Sequence, residues 1–385
     1  MRMKDDGNAK VLIGIRRSGK STILSMMADS CSGNIICIDL DTWEGRSINT
    51  ADDLMAKVRS SLSEDEENTL FIDEIQNVPE WEVVVRSLIA EKNCDIYLSG
   101  SNSKLLSGEL ATYLTGRTDT VNVHTLTLKE CMGFAKDSNI PSGKILQRFI
   151  RVGGFPIVWR NDLTESESYD RLNDILFAIF QRDIARRHSI RNTNVLERIF
   201  DYICGIIGNK TSLNRIYETL HDADRSVNRN SVYEYIPYLE EACLIDRVKE
   251  VDLRGKRILT SSYKYYLSDV GIRNARLGYR PDELAGTVEN IIYLELRSRG
   301  YEVFIGNNNG KEVDLVGMLN GRRVYIQACV RLSSESVIER EYGNLRDIDD
   351  NWPKYVVLLE KSPYDADIDG IRTVSLEEFL LSDID

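Results

Sequence analysis

Gly14-Ile15-Arg16-Arg17-Ser18-Gly19-Lys20-Ser21 is the stretch that decides how the N-terminal part of this chain folds. It follows a short apolar run, Val11-Leu12-Ile13, and leads into Thr22-Ile23-Leu24-Ser25-Met26-Met27-Ala28, which reads as a helix. Strand, glycine-punctuated loop and helix, in that order, make a phosphate-binding loop of the Walker A type. Glycines let backbone N–H groups turn inward around an anion, and the helix N-terminus adds partial positive charge. Gly14, Arg16, Arg17, Ser18, Gly19, Lys20, Ser21 and Thr22 are therefore the expected phosphate-binding residues. Lys20 has the place from which an ammonium reaches the β/γ-phosphates, and the Ser21 hydroxyl the place of a Mg²⁺ ligand.

Working outward, Asn34-Ile35-Ile36-Cys37-Ile38-Asp39-Leu40 reads as a buried parallel strand, and Ala51 to Leu62 has helical spacing. Thr69-Leu70-Phe71-Ile72-Asp73-Glu74 is an apolar strand closed by two acids, the Walker B pattern. It assigns Asp73 to Mg²⁺, directly or through water, and Glu74 to polarising the attacking water. A further helix, Trp81 to Ala90, precedes the strand Cys94-Asp95-Ile96-Tyr97-Leu98, which ends in Ser99-Gly100-Ser101-Asn102. A polar residue at that strand's end would stand beside the γ-phosphate; Asn102 is the first choice and Ser101 the alternative. Strands alternating with helices imply a parallel α/β sheet with nucleotide at the strands' C-terminal edge.

These three stretches resemble a family of bacterial and archaeal AAA-type P-loop ATPases that carry a C-terminal domain of unknown function. Further matches are Leu114-Thr115-Gly116-Arg117, Gly153-Gly154-Phe155-Pro156, Glu289-Asn290 and Glu312-Val313-Asp314, so the resemblance spans nearly the whole chain. It implies ATP and Mg²⁺ as ligands and ATP hydrolysis as the activity. It also makes Arg117 the arginine that stabilises charge on the transferring phosphoryl, in its own subunit or a neighbour's. Assembly into an oligomer stays open. Only ten residues precede Val11, a shorter lead than family members use to cover the adenine, so base recognition is expected to be the weakest part of the site.

The chain has 385 residues, long enough for two or three cores, and an ordinary globular composition with 42 % hydrophobic and 29 % charged residues. Nothing approaches an 18-residue apolar run, and the start lacks a signal peptide's apolar core, so neither a membrane segment nor secretion is expected. Seven scattered cysteines, without a C-x-x-C pair, read as buried thiols of a cytoplasmic protein rather than zinc ligands. The net charge of −12 argues against a surface coated for nucleic acid, yet residues 171–280 carry 19 Lys and Arg against 14 Asp and Glu.

The expected organisation is an AAA-type P-loop core over residues 1–135, a helical lid or linker over 136–195, a winged-helix-like part over 196–275 and an α/β restriction-endonuclease-like domain over 276–385. Arg182, Arg186 and Arg187 share a helix face, solvated or facing phosphate, and His188 beside them reads as structural. Two helices, from Thr211 and from Asn230, followed by a hairpin with the basic turn Arg254-Gly255-Lys256-Arg257, give the winged-helix order, a DNA or protein contact. Further on, Glu289, Asp314 and Gln327 are spaced as in the core of PD-(D/E)XK nucleases, which that part resembles. An active member has a lysine where this chain has Cys329, and Arg331 cannot act as a base. A relocated lysine would be Lys311 or Lys354; without one the fold serves binding. The reading is an ATPase whose nucleotide state controls an arm for nucleic acid or protein. The alternatives are a non-catalytic interaction module that binds nucleotide weakly and, less favoured, a metal-dependent DNA nuclease.

Overall fold

The computed structural model describes residues 7–106, 114, 116–137, 140–160, 163–254, 258–361 and 366–383. They form two compact units, one of residues up to Val123 with the short segment 241–243, the other of the remaining residues from His124 onward.

The first unit is built on five strands, β1 (Ala9–Ile13), β2 (Asn34–Asp39), β3 (Asn68–Asp73), β4 (Cys94–Gly100) and β5 (Thr118–Asn122), all parallel in the order β2-β3-β4-β1-β5. Helices α1 (Lys20–Asp29), α2 (Ala51–Ser61) and α3 (Trp81–Glu91) connect them. Successive side chains of a strand face opposite ways, and both faces here are apolar. Val11, Ile13, Leu70, Ile72, Ile96 and Leu98 pack with Leu54, Val58, Val85 and Leu88 of α2 and α3 on one face. Leu12, Phe71 and Tyr97 pack with Leu24 and Ala28 of α1 on the other, where the Phe71 and Tyr97 rings stack at 4.9 Å. Thr50 starts α2 through a capping box with Asp53.

β2 corrects the sequence reading. It is an edge strand, and α1 covers the sheet only as far as β3, so Ile35 and Cys37 are exposed while Ile36 and Ile38 are buried. An apolar run therefore did not mean burial on both faces.

The second unit begins with a run of helices: Leu128–Phe134, Ile145–Val152, Glu165–Ala178, Asn194–Gly205, Leu213–Ala223 and Arg229–Glu241. The third continues into a π-helical turn, Ile179–Ala185, in which the Arg186 N–H donates to the Gln181 carbonyl. Arg182 and Arg186 are exposed on it, Arg187 is half-buried, and His188 stacks on Tyr238 at 3.6 Å. A seven-stranded mixed sheet follows, ordered β12-β11-β10-β9-β8-β6-β7. Its strands are β6 (Ile245–Asp252), β7 (Ile258–Leu267), β8 (Glu302–Asn308), β9 (Lys311–Leu319), β10 (Arg322–Cys329), β11 (Lys354–Leu358) and β12 (Arg372–Ser375).

The two helices and the β6–β7 hairpin come in the expected order, but the hairpin is not a free wing. β6 pairs in parallel with β8, Glu250 opposite Ile305, so the sheet runs without a break across the 275/276 boundary drawn from the sequence. Residues 255–257 of the expected basic turn lie outside the described residues. Helix Leu284–Ser298 carries Glu289 behind the sheet, with β8, β9 and β10 close to where the sequence placed them.

Candidate functional site

The strand order decides the site. β4 lies between β1 and β3, so its C-terminal end meets the glycine loop on one side and the two acids on the other. The Gly14 N–H donates to the Gly100 carbonyl at 3.4 Å. A Cβ on Gly14 would stand 2.0 Å from the Val123 carbonyl oxygen, so only glycine fits this turn. Arg17 and Gly19 take left-handed backbone, φ 68° and 107°, which wraps the loop around its interior. Ser18 N–H closes the wrap onto the Ile15 carbonyl at 3.2 Å.

Lys20 is the first residue of α1 and is buried; its Nζ donates to the carbonyls of Gly14, 2.9 Å, and Ile15, 3.0 Å. Burial lowers its pKa from the ordinary lysine value, opposed by the Glu74 and Asp73 charges. Ser18 Oγ is buried without a hydrogen-bond partner among the described residues. Such an atom is costly unless a ligand satisfies it, and this one fits a loop that closes on an anion. Ser21 and Thr22 are exposed in the first turn of α1, where the macrodipole favours negative charge. Arg17 is exposed, and Arg16 lies 3.8 Å from Asp41.

On the other side of β4, Ser99 Oγ donates to Asp73 Oδ1 and accepts the Glu74 N–H at 3.2 Å. Glu74 has φ 55°, a left-handed conformation that costs a non-glycine residue roughly 1–3 kcal/mol. It is held there from both ends: Ser99 takes its N–H, while Ser101 Oγ, at 3.0 Å, and Gln76 Nε2 donate to Oε2. Glu74 is thus a buried carboxylate aimed by three side chains, two of which, Ser99 and Gln76, sequence reasoning had not assigned. A serine near the end of β4, three residues before Asn102, was the available signal for Ser99.

Gly14 to Thr22, Asp73, Glu74 and Asn102 converge on this one edge; Asn102 is buried beside Ser101, whose hydroxyl reaches Glu74. Arg117 does not join them. Its carbonyl accepts the Ala9 N–H at 2.9 Å, before the ladder Ala9–Thr118 to Ile13–Asn122. With a rise of ~3.3 Å per residue this puts Arg117 about 16 Å from the phosphate loop, at the opposite edge of the sheet. Of the two placements left open for Arg117, the backbone sets it away from its own chain's loop: parallel pairing of β1 and β5 carries it to the strands' N-terminal ends. Thr115 of the same motif and residues 1–6 of the lead lie outside the described residues.

A second polar cluster sits in the second unit. Glu289, Asp314 and Gln327 do come together, joined by Glu312, Glu341 and Lys264. Lys264 of β7 was missed by sequence reasoning, being 25 residues from Glu289 and on a different element from every acid it meets. Burial works against its ammonium, but Glu289, Asp314 and Glu312 outweigh it and hold the pKa above the usual lysine value. Lys311 and Lys354 are elsewhere: the first pairs with Asp347 at 2.6 Å, the second donates to the Ile348 and Asp350 carbonyls. Cys329 is buried and its thiol pKa is raised by burial. Among the described residues no three His, Cys, Asp or Glu side chains are arranged to hold a metal ion, and no helix is long and apolar enough to cross a membrane.

Residues 6–132 match the model of an AAA domain, and residues 143–283 that of a domain of unknown function, DUF8612. An uncharacterized protein of Haemophilus influenzae is 31 % identical over 393 aligned positions, covering 99 % of this chain and 96 % of that one. An uncharacterized protein of Methanocaldococcus jannaschii is 32 % identical over 348 positions, covering 86 % and 76 %. Among solved structures, a Walker-type ATPase of Pyrococcus abyssi superposes with a TM-score of 0.49 at 16 % identity, over 71 % of this chain and 91 % of that one. The RuvB Holliday junction branch migration motor of Thermotoga maritima does so at 0.35 and 20 %, over 63 % and 82 %. The protein thus belongs to the family of the Haemophilus and Methanocaldococcus proteins and contains an AAA-type P-loop domain, residues 6–132, followed by a domain of unknown function, residues 143–283.

Proposed function

We propose that the first unit binds ATP with Mg²⁺ and hydrolyses it, and that its nucleotide state governs how the second unit engages a macromolecular partner. The observation that carries the hydrolytic reading is Glu74. A buried carboxylate kept in a costly backbone conformation by Ser99, Ser101 and Gln76 suits a group that must be aimed, next to a loop built for phosphate. Lys20 and the amides from Ser18 to Ser21 would hold the phosphates, and Ser21 and Asp73 the Mg²⁺, which neutralises charge on them. Glu74 would orient the attacking water and take up its proton; Ser101 and Asn102 stand where the γ-phosphate is sensed. Arg117 would act on a neighbouring chain's nucleotide, since it lies away from its own.

Lys20→Ala tests the assignment directly. It removes the ammonium that charge-pairs with the phosphates, so turnover and equilibrium binding of labelled ATP should both collapse. Hydrolysis at the parent rate would sink the reading, and a parent chain that never saturates with Mg²⁺-ATP would favour the non-catalytic module.

For the partner, protein recognition is better supported than DNA. Arg229, the basic residue that opens the second helix of the winged-helix order, is engaged within the unit: it donates to Asn214 and lies over the Tyr233 ring. ATP turnover with and without duplex DNA, over a series of salt concentrations, separates the two. DNA binding through phosphates weakens steeply with salt.

A further inference from the structure

The carboxylate cluster of the second unit already contains a cation of its own. Lys264 Nζ lies 2.7 Å from Glu289 Oε1, 2.6 Å from Glu312 Oε1 and 3.6 Å from Asp314 Oδ1, and the lysine side chain is 1 % exposed. Three carboxylates from two elements, one on helix Leu284–Ser298 and two on β9, converge on one ammonium delivered by β7. The same three carboxylates take further donors, on Glu289 at the oxygen that Lys264 already meets. Tyr266 Oη donates to Glu289, the Ala328 N–H donates to Asp314 Oδ2 at 2.9 Å, and Lys210 pairs with Glu312 at 3.0 Å. Gln327 uses its carbonyl on the Asp314 N–H, 2.7 Å, and its amide N–H on Glu341, 2.9 Å.

A nuclease-like fold implies a divalent cation among Glu289, Asp314 and Gln327, and these residues do not fit one. A divalent ion needs several free oxygens in its first sphere. Here the glutamine oxygen is occupied, and the two carboxylates face a positive charge that would repel a second. Nor does Lys264 suit the catalytic lysine of such an enzyme, because three carboxylates surround its ammonium and solvent does not reach it. Removing one partner from a buried ion cluster is costly, so the arrangement ties hairpin β6–β7 to the helix and β9.

We propose that Lys264 Nζ is the resident cation of this site, standing in for a divalent metal, so that the second unit takes no metal and is closed to metal-dependent cleavage until Lys264 is removed.

The test is Mn²⁺ binding to the full chain without nucleotide, read by the electron paramagnetic resonance signal of free Mn²⁺. The Asp73→Asn background is used to silence the first unit. The parent chain should bind no Mn²⁺ at the cluster, so adding Glu312→Gln should leave its stoichiometry unchanged. Lys264→Ala should gain one bound Mn²⁺ per chain, and adding Asp314→Asn should abolish that gain. A parent stoichiometry that falls by one with Glu312→Gln would overturn the proposal. So would a Lys264→Ala chain that is folded by circular dichroism and binds no additional ion. If Lys264→Ala does not fold, the parent and Glu312→Gln comparison decides alone. Plasmid nicking by the parent with Mn²⁺, lost in Glu312→Gln, would equally overturn it.

Discussion

Ser101 Oγ donates to Glu74 Oε2 at 3.0 Å, joining the ends of two neighbouring strands, β3 and β4, that are 27 residues apart in sequence. With Ser99 on the Glu74 N–H, it makes the aim of the Glu74 carboxylate depend on β4 as well as on Gln76 beside it. This separates the chemistry of Glu74 from its aim, and each can be tested.

Glu74→Gln keeps the shape and removes the proposed base. Turnover should fall by about 10²–10⁴-fold, the usual contribution of a general base. ATP affinity should stay at the parent value, since no contact to phosphate is lost. Steady-state phosphate release and equilibrium binding check both halves.

Ser101→Ala removes one of the donors that fix Glu74. A hydrogen bond to a charged group is worth about 1.5–3 kcal/mol. If it serves the transition state, kcat falls by tenfold or more while KM holds. An unchanged kcat would leave the serine a structural hydroxyl.

Arg117→Ala should leave turnover unchanged at protein concentrations where chains do not meet, because Arg117 and the phosphate loop stand at opposite edges of one sheet. A defect that grows with protein concentration fits action on a neighbour. One that is the same at every dilution would contradict the placement.

Gly153→Ala should destabilise the second unit. Gly153 has φ 72°, and a Cβ there would stand 1.8 Å from Asp269 Oδ1. The backbone conformation alone costs a non-glycine residue roughly 1–3 kcal/mol, and the carboxylate would have to leave the Gly154 N–H it accepts from at 2.7 Å. Thermal unfolding measures the loss.

Asp269 itself gives a pH signature. Burial raises its pKa from 3.8 to about 6, against the opposing pull of the Gly154 and Gly271 N–H donors and Thr125. A carboxyl whose folded pKa lies above its unfolded one binds its proton more tightly when folded. Its contribution is therefore full below pH ~4 and is lost as pH rises through ~6. Asp269→Asn cannot titrate, so its stability relative to the parent should improve between pH 4 and 6 and then level off. Urea unfolding at fixed pH values checks the sign; a difference that moves the other way would refute it.

Local sequence was enough for the phosphate loop, the two acids and most elements, because each is encoded within a few residues. Loop glycines, the apolar period of a strand and a pair of acids at its end need no distant partner to be recognised. Two misreadings share one cause. The run Ile35-Ile36-Cys37-Ile38 looked buried on both sides, and only its edge position leaves Cys37 exposed. The hairpin after residue 244 was assigned to a part separate from the C-terminal sheet, and only its pairing with β8 makes it part of that sheet.

The sequence by itself determined the loop proposed to meet a phosphate: Gly14, Ser18, Gly19, Lys20 and Ser21 take their places through backbone torsion and helix start, which are local. Tertiary structure alone decided who stands beside them. Placing β4 between β1 and β3 brings Ser99 and Ser101 to Asp73 and Glu74, while pairing β5 with β1 takes Arg117 to the far edge. The same holds for Lys264, which only sheet order brings to Glu289 and Asp314. Strand order is a balance of packing over both sheet faces, and no short window of residues encodes it.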